Sequence, residues 1–280
     1  MSELTYFQAV LLGVIQGLTE FLPVSSTAHL AVAQRWLGHA PGSSLMLLFD
    51  MLVHMGTLVA MAVVFADTVK RFVLRLRKEV QPSWTGPKPG WRFGWLAVVA
   101  CVPTAAIGLG FKAALEASFD DAMGVGWGMI ITGLLLALTA WVRRGERGWR
   151  RFRWLHALLI GTAQGIAIVP GISRSGATIC VASYCGLRRR WAADFSFLIA
   201  APAIFGAALI KVWDTVELPA QEVAKLPWGP IMVGTLVSVG VGILGLRLFL
   251  NIVRRGRLHL FAGYCLLFGV LVLAAPGRVG

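Results

Sequence analysis

The chain has 280 residues, of which 57% are hydrophobic and 14% are charged, and its mean hydropathy is +0.74. A soluble globular domain carries about 25% charged residues, so this composition excludes an ordinary soluble domain and indicates a polytopic membrane protein. The formal net charge of +13 does not indicate nucleic-acid binding, because the basic residues fall in short clusters between apolar segments, a pattern typical of membrane topology and contact with anionic lipids.

Six apolar segments approach or reach the roughly 20 residues that a helix needs to cross a bilayer. They are residues 45–66, 93–111, 123–142, 192–212, 229–250 and 258–275. The connections between them alternate in charge: residues 70–92, 143–153, 188–190 and 254–257 are basic, whereas residues 112–121 and 214–222 are acidic. Because basic connections stay in the cytoplasm, this alternation predicts that both termini lie outside.

Two further apolar segments, residues 4–38 and 155–187, must enter and leave the membrane on the same face to satisfy this topology. Each is broken in its middle by proline and small polar residues, at Pro23-Val-Ser-Ser and Pro170-Gly-Ile-Ser. Non-helical backbone at membrane depth is tolerated where protein or a cavity satisfies its polar groups. We therefore predict two re-entrant hairpins, the first entering from outside and the second from inside.

An internal repeat relates the two hairpins. A shift of 148 residues superposes the Gln16-Gly pair on Gln164-Gly and Ser25 on Ser173. Each half, residues 1–142 and 155–280, then holds one hairpin and three spans within a single membrane domain. An odd number of spans inverts the second half relative to the first, and such inverted repeats place their sites near the midplane. The predicted fold class is thus all-α, with six transmembrane helices and two re-entrant hairpins.

The first hairpin carries a polar cluster in an apolar segment. Gln16 and Glu20 are four residues apart and share one helix face. The break at Pro23 lets Ser25 and Ser26 begin the returning helix, where free backbone N–H groups bind anions, and His29 follows one turn later. A serine at a helix start is more often only a cap, and a histidine in an apolar face is more often structural. Ionisable groups at membrane depth are costly, however, and this favours a functional site.

The second hairpin adds a phosphate-binding pattern. The guanidinium of Arg174 suits bidentate contact with phosphate, and Ser173, Ser175 and Thr178 supply hydroxyl groups. Together the two hairpins predict one phosphate-handling site.

Residues outside the hairpins give weaker signals. Asp50 and His54, one turn apart in the first span, either orient the site or form a structural pair, and the sequence leaves both readings open. The four cysteines have no metal-ligand or paired spacing, which indicates buried packing residues rather than disulfides.

At these two motifs the sequence resembles the undecaprenyl-diphosphate phosphatase family, also called the bacitracin-resistance family. The first motif, (Glu/Gln)-x-x-x-Glu followed by Pro-x-Ser-Ser and a histidine, corresponds to Gln16, Glu20, Pro23, Ser25, Ser26 and His29. The second, Pro-Gly-x-Ser-Arg-Ser-x-x-Thr, corresponds to Pro170, Gly171, Ser173, Arg174, Ser175 and Thr178.

The resemblance implies an enzyme of the bacterial plasma membrane. Its implied substrate is undecaprenyl diphosphate, which it converts to undecaprenyl phosphate, the lipid carrier of cell-wall precursors, thereby conferring bacitracin resistance. The resemblance also implies a divalent cation, Mg²⁺ or Ca²⁺. Because the first motif position is Gln16 rather than glutamate, Glu20 is the one carboxylate that would share the ion with substrate phosphates and water. The oligomeric state stays open, a homodimer included.

The mechanism that these residues suggest assigns catalytic roles to Glu20, Ser26, His29 and Arg174. Arg174 would hold the diphosphate with Ser25, Ser173, Ser175, Thr178 and Gln16. Ser26 or a water would attack the terminal phosphorus, with His29 as base and later as acid, while Glu20 orients His29 or the ion. A rival assignment makes His29 the nucleophile. The alternative function is a lipid-phosphate transporter or flippase, because inverted repeats with broken helices are also a transporter architecture.

Overall fold

The computed structural model describes residues 4–80, 86, 89–118, 121–142, 145, 147–148, 151–216, 226–255 and 257–274. Its helices are α1 (Tyr6–Thr19), α2 (Ser26–Trp36), α3 (Ser44–Val64), α4 (Ala66–Val80), α5 (Pro89–Gly110), α6 (Lys112–Ala117), α7 (Ala122–Leu138), α8 (Trp154–Ile166), α9 (Arg174–Tyr184), α10 (Arg189–Val216), α11 (Trp228–Arg255) and α12 (Leu260–Ala274). Over these ranges the only strand-like pairing is an isolated bridge between Arg147 and Leu187. The all-α prediction is confirmed there.

Four helices are long and apolar enough to cross a membrane, at Ser44–Val64, Gly90–Gly110, Arg189–Ile210 and Trp228–Val253. They coincide with four of the six predicted spans and make the chain a multi-pass membrane protein. The other two predicted spans coincide with α7 and α12, which have 17 and 15 residues. Helix α7 ends before the predicted span does because residues 139–142 form a turn and a bend, and α12 begins after its predicted start because residues 258–259 form a turn. Residue 275, the last of the predicted sixth span, lies outside the described residues. Some charged residues used to predict topology, among them Arg143, Arg144, Glu217 and Glu222, also lie outside them.

Helices α1 and α2 form a hairpin that returns to the end where it begins. The chain turns between Glu20 and Ser25, and Ser25 caps α2. Near the start of α1, Gln8 donates from Nε2 to the carbonyl oxygen of Leu37 at 3.4 Å. The Oε1 atom of Gln8 also lies 3.2 Å from Nε2 of His39. These contacts join the two ends of the hairpin, so residues just after α2 lie beside the first turns of α1.

Helices α8 and α9 form a second hairpin of the same kind. Ser173 caps α9 after the break, its Oγ accepting from the N–H of Gly176 at 3.1 Å. At the open end, Arg147 donates to the carbonyl oxygen of Cys185 at 3.1 Å and contacts the ring of His156 at 3.1 Å. The residues before α8 and after α9 therefore lie side by side.

The long helices run in two opposite directions. Helices α5 and α10 run in the same direction, since Phe93 and Phe195 near their starts have ring centroids 5.5 Å apart. At the other end, Lys112 just after α5 forms an ion pair with Asp214 in the last turn of α10. Helix α3 runs against them, because its last turn places Phe65 5.4 Å from Phe197 near the start of α10.

Helix α11 has the same direction as α3, as contacts along its length show. Ser238 donates to the carbonyl oxygen of Val53 at 2.9 Å, and Gly234 and Gly242 face Phe49 and Ala60 in the same order.

Each hairpin packs on a helix from the other half of the chain. Helix α1 follows α11, with Gly13 against Gly234. Helix α8 follows α5, with Gly161 against Ala100 and its carbonyl oxygen accepting from Thr104 at 2.9 Å. Because α5 and α11 run in opposite directions, the two hairpins enter the molecule from opposite ends. Gly13 and Gly161 are also related by the 148-residue shift, so the same close helix contact occurs in both halves.

We expect Gly161→Ala to lower the stability of the protein. The added Cβ would collide with the backbone of Ala100, and overpacking of this kind costs about 1–3 kcal/mol. Gly240→Ala is the matched control, because its Cβ would meet no atom within 4 Å and alanine is favoured over glycine in a helix by up to about 1 kcal/mol. Thermal unfolding in detergent measures both variants. Equal midpoints would contradict the close contact between α5 and α8.

Candidate active site

Glu20 lies at the turn of the first hairpin and is almost completely buried, with its side chain 2% exposed. It continues the helical conformation of α1, because its N–H donates to the carbonyl oxygen of Gln16 at 2.9 Å. One turn apart on this helix, the Gln16 side chain donates from Nε2 to Oε2 of Glu20 at 2.9 Å. The predicted shared face of these two residues is therefore present as a direct hydrogen bond.

The second hairpin supplies the countercharge for Glu20. Arg174, the first residue of α9, donates to Oε1 of Glu20 and forms an ion pair with it. A buried carboxylate is tolerated only when it is paired and hydrogen-bonded. The break before α9 is fixed by Thr132, which accepts from the N–H of Ser173 at 2.9 Å. The turns of the two hairpins thus meet at this ion pair.

Ser26 completes the same cluster from the start of α2. Its Oγ donates to Oε2 of Glu20 at 2.7 Å. The preceding residue, Ser25, has φ 61°, the only positive φ at a non-glycine position among the described residues. Such backbone conformations cost about 1–3 kcal/mol and are found mainly at functional sites. Here the strained turn directs Ser26 at Glu20, while the Ser25 hydroxyl caps α2 through the N–H of Ala28.

His54 is the fourth group in contact with Glu20. Its Nε2 lies 3.3 Å from Oε2 of Glu20, and its Nδ1 donates to the carbonyl oxygen of Asp50 at 2.6 Å. The sequence had left a structural role and an orienting role open for Asp50 and His54. The structure separates the two residues: the Asp50 carboxylate accepts from Gln34 at 2.6 Å instead, and only His54 reaches the site. The signal for His54 was an ionisable residue at membrane depth.

His29 is not brought together with Glu20 and Ser26. Its Nδ1 donates to the carbonyl oxygen of Ser25 at 2.8 Å, and its Nε2 accepts from the Tyr264 hydroxyl at 2.6 Å. The ring stacks on Phe268 with centroids 4.5 Å apart. The imidazole therefore faces α12, and His29 does not line the cavity. Its predicted roles as base or nucleophile stay predictions.

Two of the predicted phosphate-binding hydroxyls also lie outside the site cavity. Ser175 donates to the carbonyl oxygen of Leu22 at 3.2 Å and so ties the second hairpin to the first. Thr178 donates to the carbonyl oxygen of Arg174 at 2.8 Å and shares a short hydrogen bond with Ser196 of α10. Ser173 and Ser25 do line the cavity. The structure thus divides the predicted hydroxyls into two that belong to residues lining the cavity, where they cap α2 and α9, and two that do not.

The cavity has a volume of about 420 Å³ and a polar inner end beside Glu20, Ser26, His54 and Arg174. From there it extends between α5 and α10, where apolar side chains such as Leu109 form most of its wall. Its far end lies at the ion pair between Lys112 and Asp214, whose atoms Nζ and Oδ2 are 2.8 Å apart. A polar group at the inner end and an apolar chain along the wall could therefore be held together.

The donor set at the inner end does not form a complete divalent-ion site. Glu20 is its only carboxylate, and both of its oxygens are already in contact with Arg174 or with Gln16, Ser26 and His54. No group of three or more His, Cys, Asp or Glu residues with metal-binding geometry occurs in the part of the chain that the structure describes. One buried oxygen beside Glu20, Oε1 of Gln16, accepts no hydrogen bond from the residues that the structure describes. Protein residues alone therefore do not supply the ligands that Mg²⁺ or Ca²⁺ requires.

Comparison with known proteins identifies the family. The sequence model of the bacitracin resistance protein BacA matches residues 9–271, which include the turns of both hairpins and every residue that lines the cavity. The chain belongs to the BacA family.

Curated relatives of this BacA-family chain carry the name undecaprenyl-diphosphatase. One from Carboxydothermus hydrogenoformans is 41% identical over 97% of this chain and 98% of its own length. A second, from Desulfatibacillum aliphaticivorans, is 40% identical over 96% of this chain and 98% of its own length. A third, from Alkaliphilus metalliredigens, is 36% identical over 96% of this chain and 98% of its own length. The similarity thus covers the complete site, and the family resemblance of the two motifs is confirmed.

Proposed function

We propose that this protein is an undecaprenyl-diphosphate phosphatase, which removes the terminal phosphate of the lipid and releases undecaprenyl phosphate and inorganic phosphate. Relatives that carry this name align with nearly the whole chain. The observation that carries the proposal is the convergence of Ser26 and Arg174 on one buried carboxylate, Glu20. This arrangement supplies a nucleophile, an acceptor for its proton and a cation for phosphate. The reaction would recycle the lipid carrier for cell-wall synthesis and confer bacitracin resistance.

In the reaction, Ser26 Oγ attacks the terminal phosphorus as its proton passes to Oε2 of Glu20, which already accepts that hydrogen bond at 2.7 Å. The bond from phosphorus to the bridging oxygen breaks, and undecaprenyl phosphate leaves with that oxygen, which takes the proton from Glu20. Arg174 keeps one N–H on Glu20 and offers others to the transferred phosphate, whose charge it stabilises. Water then attacks the phosphoserine and Glu20 accepts the proton of the water. The bond from phosphorus to Ser26 Oγ breaks, that oxygen takes the proton back from Glu20, and inorganic phosphate leaves.

The cavity gives a reason for a lipid diphosphate as substrate. Its inner end holds Arg174 and the N-terminus of α2, both suited to anions, and its apolar wall between α5 and α10 suits the first units of a prenyl chain. A soluble phosphate ester would leave this wall in contact with water. The contrast between the polar end and the apolar wall thus favours an amphiphilic substrate.

The membrane arrangement that we propose has six spans and two re-entrant hairpins in two inverted halves, within a bacterial plasma membrane. It is supported by the opposite entry of the hairpins and by basic residues near the starts of α5 and α10, at Arg71, Arg75 and residues 188–190. Basic ends lie in the cytoplasm. The end of the cavity at Lys112 and Asp214, which lies at the opposite ends of these helices, is then on the external side, as are both termini.

A divalent ion would arrive with the substrate in this proposal. Mg²⁺ commonly keeps several waters and binds through substrate phosphates and one or two protein oxygens. Glu20 and the unpartnered Oε1 of Gln16 are the oxygens at hand. When bound, the ion would neutralise phosphate charge.

We expect purified protein in detergent to release phosphate from undecaprenyl diphosphate, and Glu20→Gln, Ser26→Ala and Arg174→Ala to lose it by about 10²-fold or more, the usual effect of removing a proton acceptor or a charge-stabilising group. The control for Ser26→Ala is Ser183→Ala, whose hydroxyl only contacts the backbone of its own helix. Detergent-solubilised protein has no gradient, so binding without phosphate release would favour the transporter alternative. Full activity of Arg174→Ala would contradict the proposed site.

The covalent intermediate separates the two nucleophiles. We expect label from a substrate with a radioactive terminal phosphate to be stable in acid, as a phosphoserine is, and to be absent in Ser26→Ala. Acid stability distinguishes the two nucleophiles because phosphohistidine is hydrolysed in acid and phosphoserine is not. Acid-labile label that persists in Ser26→Ala and disappears in His29→Asn would transfer the role to His29. Quenched-flow labelling followed by peptide mapping makes the measurement.

Titration calorimetry tests how the ion is held. We expect Mg²⁺ to show no saturable binding to the protein alone below millimolar concentration, because one shared carboxylate is a weak site, and to bind when inorganic pyrophosphate is present. Gln16→Glu adds a second carboxylate and should increase affinity for Mg²⁺ without pyrophosphate. Tight binding to the unmodified protein alone would contradict an ion carried by the substrate.

A further inference from the structure

One carboxylate oxygen, Oε2 of Glu20, is in contact with both the attacking group and an imidazole. Ser26 Oγ lies at 2.7 Å and His54 Nε2 at 3.3 Å from it. His54 lines the cavity beside Arg174 and is buried, with its side chain 9% exposed. It comes from α3, whereas Glu20 and Arg174 come from the two hairpins.

The hydrogen bonds of His54 define what its Nε2 atom can do. A peptide carbonyl oxygen only accepts, so the contact of Nδ1 with the Asp50 carbonyl at 2.6 Å places a proton on Nδ1. Across the ring, Nε2 faces a carboxylate oxygen, which also only accepts. The contact is attractive when Nε2 carries a proton as well, and two facing acceptors would repel each other. The Thr57 hydroxyl, which donates to the carbonyl oxygen of His54 at 2.8 Å, holds the same turn of α3.

We propose that His54 is a positioning residue of this site, which donates an N–H from Nε2 to Glu20 and holds that carboxylate ionised and aimed at Ser26. The proposal rests on the proposed phosphatase function. Gln16 and His54 then fix Oε2 from two sides, and Arg174 fixes Oε1. The carboxylate cannot rotate away from the serine hydroxyl without breaking one of these contacts.

The proposed contact acts at the first step of the reaction. Glu20 accepts the serine proton only while it is ionised, and a charged donor stabilises the ionised form of a buried carboxylate. When the proton has moved to Glu20, two cationic side chains, Arg174 and His54, lie at the inner end of the cavity beside the transferred phosphate. Excess positive charge there favours the dianionic product of the attack. His54 thus acts on the nucleophile through Glu20. Its effect on the affinity for substrate should be small.

The test compares two substitutions of His54 in the purified full-length protein. His54→Gln places an amide N–H close to the position of Nε2, and we expect it to keep kcat within about 10-fold of the unsubstituted protein. His54→Leu removes the donor, and we expect kcat to fall about 100-fold, the effect of losing a hydrogen bond to a charged group. For both variants KM should change less than about 3-fold, because His54 contacts Glu20, which acts on Ser26 and not on the bound substrate.

The control is His39→Leu. His39 is also buried and makes one ring contact, with Gln8 at 3.2 Å, but it does not line the cavity. We expect its kcat to be unchanged. Equal kcat losses in His54→Gln and His54→Leu would overturn the donor assignment, as would a change confined to KM or unchanged kcat in His54→Leu.

A second measurement does not depend on activity and so separates failure of this inference from failure of the phosphatase function. Thermal unfolding of His54→Leu, Glu20→Gln and the double variant should be non-additive by about 2–4 °C, because the two side chains are in direct contact. Additive midpoints would overturn the contact even in a protein with no measurable phosphatase activity. Non-additive midpoints without phosphate release from the unsubstituted protein would support the contact and reject the function.

Discussion

The buried charge of Glu20 is the constraint on which the rest of the site depends. A carboxylate at membrane depth is stable only with cations and donors around it, and each of its partners comes from a different place in the chain. Gln16 is on α1, Ser26 on α2, His54 on α3 and Arg174 on α9. The contacts of this one carboxylate thus fix the positions of both hairpins and of α3 relative to one another.

The two halves of the molecule have the same architecture but different chemistry. Close glycine contacts place each hairpin on a helix of the other half, at Gly13 and Gly161. At corresponding positions of the two turns, Ser26 and Arg174 then supply a hydroxyl and a guanidinium. The turns of the two hairpins therefore bring unlike side chains to one site, which is the arrangement that the proposed inverted repeat would give.

The cavity separates polar chemistry from apolar binding along its length. Its inner end is lined by the groups around Glu20, whereas the walls contributed by α5 and α10 are mainly apolar and lead to the ion pair of Lys112 and Asp214. Water-poor surroundings strengthen the interactions of Arg174 and Glu20 with a phosphate. The proposed lipid substrate uses both parts, with its diphosphate at the inner end and its prenyl chain along the wall.

The sequence alone determined the helical class, four long apolar spans, the positions of both breaks and the two motifs, because hydropathy, proline and the 148-residue repeat are local or periodic signals. The tertiary structure decided which polar side chains meet. Near the break, Ser26 faces Glu20 while His29 faces Tyr264, and His54 reaches the site from 34 residues beyond Glu20. Motif spacing contains no information on such contacts, because they depend on how α2, α3 and α12 pack around the strained turn at Ser25.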